Sequence, residues 1–203
     1  MTLYNHTVRI IAGELKGREI SPPRGSKIRP ATGLVRETVM NLFTVARLQA
    51  GPFLDLCAGS GLVGLEALSR GAPRVVFVET DSRSAGHLKK TLHAWDLLER
   101  ATVLKLDARR CFKTVDKILD GQPVACAFLD PPFISGMAGD LLEHFGRQAK
   151  ILSADGRLII RAVERLSDNV TGLAQLSQRE LNRAWLAEYT YQSDAQEGND
   201  ADQ

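Results

Sequence analysis

The tetrapeptide Asp130-Pro131-Pro132-Phe133 follows directly on the apolar run Val124–Leu129. Two consecutive prolines remove two N–H donors and fix the chain, so the backbone carbonyls are held in a rigid turn. A carboxylate, a carbonyl and an aromatic face then converge on one small volume. That set suits a planar base with an exocyclic amine. The amine donates to Asp130 and to the Pro131 carbonyl, while Phe133 stacks on the ring. An aryl amine is a poor nucleophile because its lone pair is delocalised. Two acceptors favour a more tetrahedral nitrogen, and catalysis of this kind is mostly positioning.

Three more acids recur at comparable places. Asp55 lies in Phe53-Leu-Asp-Leu-Cys57, Glu79 ends Arg74-Val-Val-Phe-Val-Glu79, and Asp107 follows Thr102-Val-Leu-Lys-Leu106. One such acid is ordinarily a helix cap; four at successive strand ends are expected to form a site. Between the first two lies Ala58-Gly59-Ser60-Gly61, a glycine turn that lets a ligand approach backbone N–H groups at a helix start. Gly59, Gly61 and Gly64 fit the dinucleotide pattern GxGxxG. Glu79 stands 20 positions after Gly59, where an acid can hold both ribose hydroxyls. The cofactor is therefore expected to be a nucleoside, either NAD or S-adenosylmethionine.

Asp55 and the proline turn separate the two. A carboxylate there repels a pyrophosphate and attracts an ammonium, and a methyl sulfonium is an electrophile that needs neither strong base nor metal. S-adenosylmethionine is the expected cofactor, held by Asp55, Ala58, Gly59, Ser60, Gly61, Glu79, Thr80, Asp107, Ala108 and Asp130. In this reading Gly64 serves helix–sheet packing only. No metal is expected: His6, His87, His93 and His144 lack ligand spacing. Ser60 lies in no GxSxG.

The surrounding elements must bring these residues together. Strands are expected at 53–57, 74–79, 102–106, 124–129 and 156–161, with helices at 61–70, 82–97, 108–119 and 137–149. Strand–helix alternation with continuous apolar strands implies an α/β, doubly wound, Rossmann-like parallel sheet. Ligands bind such sheets at the carboxyl ends of the strands, where all four acids fall. Residues 175–181 and 184–192 are expected to add two strands, about seven in all. Residues 1–50 are expected to form a small extension packed on the 51–192 domain. It consists of a hairpin from Val8 to Ile20, a proline-rich loop over 21–30, and one helix from the N-cap Thr32 to about Leu48. Residues 193–203 are expected to be a disordered acidic tail.

Charge is uneven. Residues 1–48 carry eight Lys/Arg against three acids, and residues 192–203 carry four acids and no base. A basic head points to a polyanion partner. Cys57, Cys111 and Cys126 show no CxxC pairing, which suits a reducing compartment. No signal peptide or membrane span is legible, so a soluble, cytoplasmic protein is expected, as a monomer.

Taken together, the motifs resemble the RsmD family of bacterial methyltransferases, which modify the N2 amine of a guanine in 16S ribosomal RNA. The likeness covers roughly residues 8–163. It is carried by Arg9-Ile-Ile-Ala-Gly13, Lys16-Gly-Arg18, Ile28-Arg-Pro30, Thr32 and Val35-Arg-Glu37, joined to Asp55–Gly61, Gly64–Arg70, Glu79 and Asp130–Phe133. The resemblance implies a class I methyltransferase fold, S-adenosylmethionine as cofactor and 16S rRNA, within a small-subunit particle, as partner. It implies that Asp130, Pro131, Pro132 and Phe133 hold the guanine. It also implies that Arg9, Lys16, Arg18, Lys27, Arg29, Thr32 and Arg36 meet RNA. The end of the chain departs from the family pattern: Arg179-Glu-Leu-Asn-Arg-Ala-Trp185 has no glycine. Three other readings use some of the same residues. They are an adenine-N6 methyltransferase, an NAD-dependent dehydrogenase and a catalytically silent RNA-binding assembly factor.

Overall fold

Each strand residue's place in the period-two alternation decides which sheet face it packs. The structure is a computed structural model that describes residues 7–21 and 32–192. β1 (Val8–Arg9) and β2 (Glu19–Ile20) pair as a hairpin. α1 (Gly33–Phe43) and α2 (Val45–Gln49) follow. Strand and helix then alternate through β3 (Phe53–Leu56), α3 (Leu62–Ser69), β4 (Val75–Val78), α4 (Ser82–Ala94) and β5 (Ala101–Leu104). A tight helical turn at Ala108–Arg110 leads to α5 (Phe112–Ile118), β6 (Val124–Leu129), α6 (Met137–Gly146) and β7 (Leu152–Ala162). β8 (Asn169–Val170), β9 (Leu173–Leu181) and β10 (Ala184–Tyr191) complete the described chain.

Among the described residues eight strands form one sheet in the order β5-β4-β3-β6-β7-β10-β9-β8, one more than the sequence suggests. β3 to β7 run parallel, and β10, β9 and β8 continue the sheet antiparallel. The chain winds outwards from β3 in both directions, so the switch point lies between β3 and β6. Phe53, Phe77, Val103, Phe128 and Ile159 pack on one face with α3 and α4. Leu54, Val76, Leu129 and Ile160 pack on the other with α5 and α6.

The N-terminal segment shares the first of these cores. Ile10, Leu15, Ile20, Val39 and Phe43 belong to the same apolar cluster as Leu65, Leu68 and Phe77. α3 is consequently buried along its whole length, with the sheet on one side and the hairpin on the other. Backbone groups make the join: Glu14 N donates to Ser69 O and Leu15 N to Ser69 Oγ. At Gly13 a Cβ would stand 1.7 Å from the Ser69 carbonyl oxygen, so only glycine fits.

Two expectations need correction. The helix expected from Thr32 to Leu48 is two helices, because Thr44 takes φ 59° and its side chain caps the second through Arg47 N. The apolar stripe crosses this break without interruption, so periodicity cannot register it. The segment 108–119 likewise divides at Cys111. Thr32 does cap α1, accepting from Val35 N. The proline loop and the acidic tail lie outside the described residues. No described helix is long and apolar enough to cross a membrane.

Candidate active site

The strand registers set the geometry. Leu56 is level with Val78 on one side and Leu129 on the other, and Val78 with Leu104. Neighbouring strands lie about 4.8 Å apart, so Cys57, Glu79 and Asp130 form one short row above the sheet, with Asp107 just past the end of β5. All four acids reach Cys57 electrostatically: burial first, then Glu79, Asp130, Asp55 and Asp107, push its thiol up to about 12. The mouth of the sheet is therefore lined by four carboxyl groups, two of them paired with arginines.

Each acid has local partners. Asp55 is 2% exposed, and its Oδ2 accepts from Gly64 N at 2.9 Å. Burial holds its carboxyl well above the usual range, against the lowering by the Gly64 bond; Asp130 and Glu79 add to the rise. Glu79 Oε2 accepts from Gly59 N at 2.7 Å, while Oε1 accepts from Asp81 N and Thr80 Oγ1. Asp107 caps its turn and forms a fork with Arg109, Oδ1 to Nε at 2.9 Å and Oδ2 to a terminal nitrogen at 2.7 Å. That pairing draws its carboxyl down to about 2. With the third acceptance, from Arg109 N, Asp107 keeps about one lone-pair site for a ligand amine.

The turn between β3 and α3 is shaped by positive φ at Cys57 (59°), Gly59 (57°) and Gly61 (73°). Ala58 N donates to Val78 O, and Gly61 N closes on Ala58 O at 2.7 Å. Ser60 and Ala108 are buried, and Thr80 is exposed. Two glycines have contacts beyond those expected. At Gly61 a Cβ would meet Leu88 Cδ1 at 2.5 Å, so its close contact is with α4. Gly64 does pack against Phe77, where a Cβ would lie 2.3 Å from Cε1, but its N–H also anchors Asp55. Packing only is thus too narrow.

Asp130 continues β6, its N–H donating to Leu56 O. Pro131 is buried, Pro132 exposed, and Phe133 is 51% exposed. Ile134 N donates to Pro132 O at 2.7 Å, and Glu164 accepts from Ser135 Oγ and Gly136 N, latching the loop that follows. Sequence reasoning missed Arg161, which forms two 2.8 Å hydrogen bonds to Asp130 and lies over the Phe133 ring. The signal was present: Arg161 closes the apolar run Leu158-Ile-Ile, and the strand-end rule applied to that strand finds it.

The residues expected to meet RNA do not gather. Arg36 is 3% exposed, with Nε 3.5 Å from Glu66 Oε1 and a terminal nitrogen donating to Arg9 O. It is a structural residue of the core, which corrects its expected role: a buried, paired guanidinium cannot reach a phosphate. Arg9 is exposed and pairs with Glu19 at 2.8 Å. Lys16 is exposed beside the Ser69 end of α3, and Arg18 stacks on Trp95 at the end of α4. Both stand at the opposite end of these helices from the acid row. Thr32 accepts from Asn182 Nδ2 at 3.5 Å, bringing the start of α1 to the β9–β10 turn. Lys27 and Arg29 lie outside the described residues.

Among the described residues no cluster of His, Cys, Asp and Glu is arranged to hold a metal ion. A nucleoside cofactor that carries positive charge fits the row, since four acids surround it and a pyrophosphate would be repelled.

Residues 8–190 match the family model described as Conserved hypothetical protein 95. The chain is 35% identical to ribosomal RNA small subunit methyltransferase D of Escherichia coli over 201 residues, covering 96% of this chain and 94% of that one. It is 36% identical over 152 residues to YlbH of Bacillus subtilis, provisionally named an rRNA methyltransferase, covering 75% of this chain and 80% of YlbH. The solved structure of yhhF from Escherichia coli, provisionally named a methyltransferase, superposes with a TM-score of 0.75. It is 26% identical and covers 93% of this chain and 99% of that one.

Proposed function

The chain belongs to the RsmD family, and from that premise we propose that it transfers a methyl group from S-adenosylmethionine to the exocyclic N2 amine of a guanine in 16S ribosomal RNA. The family assignment brings ribosomal RNA of the small subunit as the substrate class. The observation that carries the chemistry is the placement of Asp130-Pro-Pro-Phe133 one strand from the glycine turn, at the switch point of the sheet.

The acid row supports the cofactor. Bound S-adenosylmethionine supplies an electrophilic methyl on a cationic sulfur. Asp55, with the turn from Ala58 to Gly61, would hold its amino-acid end, Glu79 its ribose and Asp107 the edge of its adenine. The Glu79 carboxylate is pre-positioned by Gly59 N and Asp81 N.

On the substrate side this chain positions an amine. The Pro132 carbonyl is engaged by Ile134 N, so the second acceptor beside Asp130 is assigned to the Pro131 carbonyl. Phe133 offers an open aromatic surface for stacking. Around the same mouth stand Arg165, lying over Trp185, and Arg183 in the β9–β10 turn. Ala162, next to Arg161, is level with Trp185, so the hairpin borders the base pocket. We assign RNA contact to this face and leave Lys16 and Arg18 outside it.

The test is nucleoside analysis of small-subunit RNA from cells with and without the gene. Loss of one N2-methylguanosine in the deletion strain is expected. Loss of an N6-methyladenosine would support the adenine reading, and no change would support a silent assembly factor.

A further inference from the structure

Two of the acids at the strand ends are paired with arginines, Asp107 with the exposed Arg109 and Asp130 with the far more buried Arg161. Leu129 is level with Ile160 across β6 and β7, so Asp130 and Arg161 are direct neighbours. Arg161 Nε donates to Asp130 Oδ1 and a terminal nitrogen donates to Oδ2, both at 2.8 Å. Its guanidinium carbon lies 4.8 Å from the centroid of the Phe133 ring. The two paired side chains are only 13% and 17% exposed, so little water competes for either. Arg161 is itself held in the sheet between β6 and β10, level with Leu186, and not on a loop.

We propose that Arg161 is the positioning residue of the target-base pocket, a single guanidinium fixing both the carboxylate that accepts the amine and the ring that stacks on the base. The proposal rests on the reading above for the identity of that base. A planar fork matches both oxygens of a carboxylate and can lie against an aromatic face at the same time; a lysine ammonium cannot do both. The fork constrains rotation of Asp130, and the cation packed on Phe133 constrains the ring, which remains half exposed for the base. An RNA phosphate contact is a poor alternative role for a guanidinium so covered and so fully engaged.

The surroundings of Asp130 make the pair consequential. Arg161 faces it from β7, while Asp55 in β3 and Cys57 just beyond face it from the other side, both feeling its charge. Burial pushes the Asp130 carboxyl up, and Arg161 pulls it back. Removing the guanidinium therefore moves the protonation of Asp130 to higher pH, where a protonated carboxyl ceases to be a two-oxygen acceptor.

The experiment compares wild type with Arg161→Met and Arg161→Lys, following the 13C carboxyl signal of Asp130 against pH alongside methyl transfer. In Arg161→Met the Asp130 midpoint and the acid limb of kcat should both move to higher pH. The value of kcat should fall roughly a hundredfold, as for a reacting pair misplaced by about 1 Å, with KM for S-adenosylmethionine little changed. Arg161→Lys should keep the Asp130 midpoint near wild type and still lose about tenfold or more in kcat, because charge remains and the fork does not. An unmoved Asp130 midpoint in folded Arg161→Met overturns the proposal, as does full activity of Arg161→Lys. Should Arg161→Met fail to fold, Arg161→Gln carries the same titration. Wild-type protein that modifies no guanine would instead overturn the base assignment, while the carboxyl titration still reports the Arg161 coupling.

Discussion

At the scale of single residues, the decisive ones are an acid and a thiol that stand side by side. Asp130 is the acceptor assigned to the target amine, and Asp130→Asn turns one of its two oxygens into a donor. Methyl transfer should fall about a hundredfold or more. Folding stability should fall by about 1–3 kcal/mol, because the Arg161 fork loses an ionised partner. Labelled-methyl transfer and a denaturant melt measure the two separately, and near-full activity would remove Asp130 from its role. Cys57 sits among the same acids in a left-handed backbone conformation. Its thiol, pushed up to about 12, stays protonated at pH 8, whereas an unperturbed thiol near 8.5 is partly thiolate. Mass-resolved alkylation at pH 8 should therefore find Cys57 much slower than a cysteine peptide. Most of these residues were legible from type and spacing alone: strand-end acids and a double proline announce themselves. Arg161 is basic where the other four strand ends are acidic, so it does not stand out by type. The packing of Gly64 on the sheet was legible too; the contact of Gly61 with Leu88 and the Gly64 hydrogen bond to Asp55 were not, since each depends on a residue of another element.

At the scale of elements, the molecule is organised around α3, which joins the glycine turn at one end to the N-terminal hairpin at the other. Glu66 at its centre accepts from Ile11 N at 2.8 Å and lies 3.5 Å from Arg36 and 3.7 Å from Arg70. Glu66→Ala would strand buried guanidinium groups, and a loss of roughly 3–5 kcal/mol is expected in urea unfolding. A loss below about 1 kcal/mol would show that water replaces the carboxylate without difficulty. The order of strands and helices along the chain follows from periodicity, because apolar runs and glycine breaks are local signals. Two things did not. The break at Thr44 lies inside an unbroken apolar stripe, and its cause is a backbone conformation that composition does not encode. Burial of Arg36 depends on Glu66, 30 positions away, so a basic residue on a basic segment read as surface.

At the scale of the whole molecule, charge is divided between an acid-lined mouth and basic residues around it. Asp55 and Asp130 have carboxyls raised by burial. Their contribution to stability is present below the unfolded value near 3.9 and is lost as pH rises through their raised folded values. A cation bound at the mouth favours the ionised forms and reverses that loss. S-adenosylmethionine should therefore raise the melting temperature more at pH 8 than at pH 5.5; an equal shift at both would place the cofactor away from these acids. For RNA, replacing Arg165 and Arg183 by Gln should lower the salt slope of binding by roughly 0.7 for each phosphate no longer neutralised. Replacing Lys16 and Arg18, at the far end of α3 and α4, should leave it unchanged. The reaction itself is tested by transfer in a defined mixture. The purified protein, S-adenosylmethionine carrying a deuterated methyl group and small-subunit particles from a strain lacking the gene are combined, and the RNA is digested to nucleosides. Deuterated N2-methylguanosine approaching one per particle is expected. Label in N6-methyladenosine, or none in RNA from a protein that binds the cofactor, would contradict it.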